Sequence, residues 1–169
     1  MRQQPAVTAL RCRAATWRTI VHSKPYLRLL AMAALSFIAM YILMYVMVDR
    51  LANVLPNLNQ AYMAGLMTAP MVIIELLVMR PMYERRSWNA AILATSAAAL
   101  VLCWFAIRDQ VAIADREFLK SMIPHHASAI LMCEEARLQN PEVRKLCETI
   151  ISGQQAEIEQ MKALLQKGG

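Results

Sequence analysis

Two adjacent histidines, His125 and His126, stand in the stretch FLKSMIPHHASAILM from Phe118 to Met132. On a helix turning about 100° per residue, Met122 lies one turn before both, so its thioether and either imidazole can approach one point. Thioether and imidazole donors suit a soft ion such as Cu(I), or Ag(I) by analogy. They do not suit Mg²⁺ or Ca²⁺, which take oxygen ligands. Met132 lies two turns beyond His125, about 10 Å further along the axis, so it cannot share a mononuclear site with it and could serve a second one. No HExxH or paired ExxH pattern is present, which leaves a hydrolytic zinc or di-iron site without its carboxylates. The plainer alternative makes His126 a core histidine hydrogen-bonded to Gln154, leaves His125 solvated, and lets the methionines fill space.

Positioning these donors requires a helical hairpin. The tail from Asp109 is charged and periodic: Leu119, Met122, Ile123, His126, Ile130 and Cys133 recur at three- and four-residue steps, as do Val143, Leu146, Cys147, Ile150, Gln154, Ile158, Met161 and Leu165. The break falls at Gln139-Asn140-Pro141, where Asn140 is a suitable N-cap, Pro141 a suitable first helical residue, and Glu142 complements the positive helix start. Pro124 should kink the first helix around Lys120 unless the helix begins there. A pivot near Asn140 sets His126 opposite Gln154 and Met122 opposite Ile158, with Glu157 and Met161 within one turn. The predicted pocket therefore holds Met122, His125 or His126 and Met161, with Glu157 as a further candidate. Cys133 and Cys147 share one level. Free thiols are the default there, since helix axes usually sit about 8–10 Å apart and a disulfide needs Cα atoms within about 4.4–6.8 Å; a disulfide or thiolate ligation of copper are the alternatives.

The rest of the chain is membrane-like. Of 169 residues, 58% are hydrophobic and 18% charged, and mean hydropathy is +0.35, whereas soluble domains carry about a quarter charged residues. Uncharged or nearly uncharged runs at 29–48, 61–79 and 90–107 are each of a length that spans a bilayer. The first is too long, and its basic leader too long, for a signal peptide, and no small-x-small site precedes Asp49, so it is expected to remain as an anchor. Arg2, Arg11, Arg13, Arg18, Lys24 and Arg28 precede it without an acid, and Arg80, Arg85 and Arg86 lie in the second loop, against Arg50 alone in the first. The 1–28 segment is thus read as a partly ordered basic cytoplasmic arm, and the tail as extracytoplasmic. The net charge of +6 is used for orientation rather than for nucleic acid, and four cysteines are no disulfide scaffold.

Within the spans, Met63, Met67, Met71, Glu75 and Met79 recur every four residues, and Met32, Met40 and Met44 share that step. This reads as a thioether path or simply as lipid-compatible side chains, because a four-residue step drifts about 40° each time. Glu75 is costly in a span and is expected to snorkel or pair with Arg80. Cys103 is expected to face lipid or to be packed, and Cys12 and His22 have no evident partner.

The string Phe118-Leu-x-x-Met-Ile-Pro-His-His-x-x-Ala-Ile-x-Met132, then Asn140-Pro-Glu-Val-Arg, then Ile150-Ile-x-x-Gln-x-x-Glu-Ile-x-x-Met161, resembles the domain-of-unknown-function 305 family over about 50 residues. The resemblance implies a ferritin-like helical bundle and an extracytoplasmic copper-binding role, with Met122, His125, His126, Met132 and Met161 as ligands. Gln154 and Glu157 are motif positions of less definite purpose. A four-helix bundle needs two such hairpins and this chain has one, so dimerisation or packing on the membrane helices must close it. The Met-rich second span and Met82-Tyr83 also resemble membrane-anchored relatives.

The resulting expectation is an all-α protein with three transmembrane helices, followed by a hairpin over 108–169, in a bacterial inner membrane. It would capture, buffer or hand over copper without catalysis, with the lipid bilayer, the copper ion and a second copy as partners. The rivals are a copper transporter using the methionine ladder and a structural module that only oligomerises.

Overall fold

The computed structural model describes the backbone of residues 6–168 and the side chains of residues 24–168. Among these the chain is all-α: α1 (Ala6–Leu43), α2 (Leu58–Val78), α3 (Arg86–Arg108), α4 (Asp115–Glu135) and α5 (Pro141–Gln166), with short 3₁₀ turns at Met44–Met47, Leu51–Asn53 and Arg80–Met82. Three segments, Lys24–Met47, Leu58–Val78 and Arg86–Arg108, are long and apolar enough to cross a membrane. At 1.5 Å per residue the shortest spans about 31 Å, the thickness of a hydrocarbon core. Within the segment read as a partly ordered basic arm, the backbone is helical from Ala6 and continuous with the first span, and Pro25 lies inside the helix without ending it. Residues 1–5 and the side chains of Cys12 and His22 lie outside the described residues.

α2 is central, packing on both α1 and α3. Its interior face is Ala64, Thr68, Ala69, Val72 and Leu76, and small residues there let neighbouring backbones approach. Gly65 shows how closely: a Cβ at this position would stand 2.9 Å from Cys103 Sγ, so Cys103 is packed on α2. The Thr68 hydroxyl is satisfied by donating to Ala64 O at 2.8 Å. Met63, Met67 and Met79 of the methionine ladder are exposed, so within one chain the ladder lines no common interior.

At the end of the spans that carries the α2–α3 connection, Tyr26 sits 5.3 Å from Tyr83 and 5.4 Å from Trp88, centroid to centroid. Its hydroxyl donates to Asn89 Oδ1 at 2.9 Å and accepts the Arg85 amide at 3.0 Å. Such amphipathic rings suit a membrane–water boundary. Glu75 is placed beside Tyr83, whose hydroxyl pKa is pushed above its ordinary value by burial first and then by this acid. No Glu75–Arg80 ion pair forms among the described residues.

At the opposite end, α4 and α5 fold back on one another over a core of Leu119, Ile123, Ala127, Ile130, Ile158 and Met161, against which Val48 and Leu55 of the α1–α2 connection also pack. The α1–α2 connection thus contributes side chains to the hairpin core. α4 begins at Asp115 and runs through Pro124. A proline has no N–H for the carbonyl four residues back; that carbonyl, Lys120 O, instead accepts from Asn57 Nδ2 at 3.4 Å. Asn57 also caps α2 through the Gln60 amide at 3.0 Å. Glu117 Oε2 accepts the Leu58 amide at 3.1 Å, Asn59 Nδ2 donates to Ser121 Oγ at 3.2 Å, and Lys162 Nζ donates to Asn53 Oδ1.

Cys133 and Cys147 form a disulfide with Cα atoms 5.3 Å apart, where free thiols were the default expectation. Both lie close to the short connection between α4 and α5; because each Cα stands about 2.3 Å off its helix axis, facing residues come within disulfide reach at ordinary helix spacing.

Candidate functional site

The geometry divides the expected pocket in two. His126 points into the hairpin groove: Nδ1 lies 2.9 Å from Met122 O and Nε2 lies 2.7 Å from Glu157 Oε2. The backbone carbonyl requires a proton on Nδ1, which directs Nε2 at the carboxylate. A proton on Nε2 completes an ion pair. Its removal leaves an imidazole lone pair beside a carboxylate oxygen, an N,O pair for a cation. The histidine side chain is 12% exposed and the glutamate 58%, so the pair is reachable from one side. Gln154, set opposite His126 by simple register, does not bond to it; its Oε1 is buried without a hydrogen-bond partner. Gln154 and Glu157 are three residues apart on one face of α5, so this orphaned acceptor lies about one turn from the pair.

His125 turns the other way. With Met122 it lines a cavity of about 320 Å³ between α4 and the ends of α2 and α3, and Met63 of α2 lines the same cavity. Met122 joins the two places, its carbonyl orienting His126 while the residue both lines the His125 cavity and packs against the hairpin core. The remaining polar wall is neutral, including Asn57, Asn59, Gln60, Gln110 and Ser121, and among the described residues no carboxylate lines it. Asn59 and Gln110 exchange hydrogen bonds at 3.1 and 3.2 Å. That pair helps hold the α3–α4 connection, in which Gln110 and Ala112 take φ of 49° and 58°, a left-handed conformation that costs about 1–2 kcal/mol for a residue with a Cβ. Tyr62 adds a bond to Val111 O at 3.0 Å.

Of the remaining expected ligands, Met161 is buried in the hairpin core and Met132 is 51% exposed, away from both places. Among the described residues no group of three or more His, Cys, Asp or Glu could hold a metal, so an ion in the cavity depends on thioethers. Met63 was legible in the sequence only as a rung of the ladder. Its α-helical spacing gave no sign that the tail would fold back onto it.

Residues 105–165 match the family described as Domain of unknown function (DUF305). Over 140 residues the chain is 30% identical to an uncharacterized protein of Acanthamoeba polyphaga mimivirus, covering 81% of this chain and 90% of the viral one. The chain belongs to the family of that viral protein. An alignment of this length extends beyond residues 105–165 into the apolar helices of this chain. No solved structure matches.

Proposed function

We propose that the protein is a membrane-anchored binder of a soft cation, Cu(I) first and Ag(I) by analogy, that captures, buffers or hands over the ion and performs no turnover. The observation that carries this reading is the cavity shared by His125, Met122 and Met63. Two thioethers and one imidazole, walled by neutral amides and hydroxyls, are a donor set for a soft monovalent ion, while hard divalent ions would lack their anionic oxygens. His126 and Glu157 form a separate N,O pair one residue on, and the Nδ1 contact with Met122 O holds the ring orientation from behind, the usual support for a ligating histidine.

In this reading the apolar faces of α1, α2 and α3 take the lipid bilayer as their partner. Positive residues before the first span and in the α2–α3 connection set those ends in the cytoplasm, so the hairpin faces outward; in a bacterium this is the plasma membrane with a periplasmic tail. A disulfide between Cys133 and Cys147 agrees with an oxidising compartment. A ferritin-like bundle would require further helices from a second copy, whereas the hairpin core already receives Val48 and Leu55.

The test is an anaerobic Cu(I) titration of the full chain in detergent against a competing chromophoric chelator. His125→Ala with Met122→Leu is expected to abolish competitive binding, and Met63→Leu to weaken it by about tenfold or more, comparable to loss of a supporting group at a metal site. Unchanged affinity in the double variant, with helicity retained, overturns the reading.

A further inference from the structure

A second cavity, of about 490 Å³, lies at the other end of the spans, beside the α2–α3 connection. Its two walls differ in chemistry. Leu76, Leu77 and Leu93 form an apolar side belonging to α2 and α3, and Arg80, Arg86 and Asn89 form a polar side. Neither the Arg80 nor the Arg86 side chain makes an ion pair or hydrogen bond with the described residues, and Glu84, which also lines the cavity, has an interaction of its own. The rim is held in place: Asn89 Nδ2 donates to Tyr83 O at 2.8 Å and Asn89 Oδ1 accepts the Tyr26 hydroxyl at 2.9 Å. Arg85 stacks over Trp88 at 5.4 Å, and Arg80 and Arg86 are the arginines that line the cavity.

We infer that this cavity binds an anionic phospholipid, its phosphate held by Arg80 and Arg86 and its upper acyl chain lying along Leu76, Leu77 and Leu93. A guanidinium fork matches phosphate oxygens in two-point geometry. Cationic pockets between spanning helices at the membrane boundary select acidic headgroups, and the aromatic cluster of Tyr26, Tyr83 and Trp88 marks that boundary. The volume lies within the range of about 300–1,000 Å³ usual for ligand sites. The same phosphate chemistry is offered by free inorganic phosphate, which lacks a use for the leucine wall.

Trp88, between Arg86 and Asn89, is a local reporter once Trp17→Phe and Trp104→Phe remove the other indoles. The full chain in nonionic detergent is titrated with phosphatidylglycerol or phosphatidylcholine carrying brominated acyl chains, and quenching is read. Phosphatidylglycerol is expected to bind about 25-fold more tightly, roughly fivefold per arginine. Arg80→Gln with Arg86→Gln should bring the two lipids level, while Arg80→Lys with Arg86→Lys should keep a preference for the acidic one. Equal affinity of the unsubstituted arginine pair for the two lipids overturns the inference. So does retention of the full preference in the glutamine variant, or displacement of the bound lipid by inorganic phosphate, which assigns the site to the free ion.

Discussion

The two ends of the chain are built on opposite principles. In the hairpin, Ile123, Ile130 and Ile158 are almost completely buried in one core. In α3 no residue is buried at all, although the helix is among the most apolar in the chain. The hairpin is stabilised by removing its own side chains from water, whereas the spans leave most of theirs for a surrounding apolar phase and meet each other through a limited strip, small at Ala64, Gly65, Thr68 and Ala69 and larger at Leu29, Val72 and Leu76. Burial of hydrophobic area from water therefore specifies the hairpin's structure, while close backbone approach around Gly65 and packing within an apolar phase specify that of the spans.

The largest expected break in this contrast is Ile158→Ala, which should cost about 2–5 kcal/mol of hairpin stability by leaving a cavity in its core. Leu102→Ala, on the exposed face of α3, should change stability by less than about 0.5 kcal/mol. Denaturant titration in detergent measures both, and equal costs would erase the distinction. Reducing the Cys133–Cys147 disulfide, whose partners are 14 residues apart, should cost about 3 kcal/mol in the chain-entropy view. Hydrogen exchange should show that loss in α4 and α5 and leave α2 and α3 protected.

A further test sharpens the other half of the comparison. Gly65→Ala places a methyl group against Cys103 and should destabilise α2–α3 packing by about 1–3 kcal/mol. Cys103→Ala should restore it, a rescue that a lipid-facing Cys103 could not provide. The smallest effect concerns the join between the two regions. Glu117 has its carboxyl pKa held below the usual 4.5, by the Lys120 hydrogen bond first and then by the Leu58 amide, with burial opposing them. Because the folded value is the lower one, its stabilisation is complete above the unfolded pKa and is lost as pH falls below 4.5 and through the depressed value. Exchange protection of the Leu58 amide should follow the same window in the full chain and become independent of pH in Glu117→Gln.

Much of the architecture was legible before any coordinates. The spans at 29–48, 61–79 and 90–107 correspond to apolar helices extended by a few residues at their starts, and Asn140 caps α5 through the Glu142 amide at 2.8 Å as its type suggests. The groove between α4 and α5 was also legible in outline, since Glu157 was among the candidates and does meet His126. Register alone favoured Gln154 over Glu157 as the partner. One helical turn is 5.4 Å, so a small shift along the hairpin exchanges the two, and no sequence rule resolves that distance.

Hydropathy and helical period determined the number, type and approximate limits of the helices, because these depend on each segment's own side chains and the medium around them. Tertiary structure decided what those helices bring together: Asn57 beneath the carbonyl freed by Pro124, Val48 and Leu55 closing the hairpin core, and Met63 in the cavity of Met122 and His125. Each of these joins residues distant along the chain, and their meeting is set by how the tail folds back onto the α1–α2 connection. That docking is a sum of many weak directional contacts, and such a sum is not encoded in any local pattern.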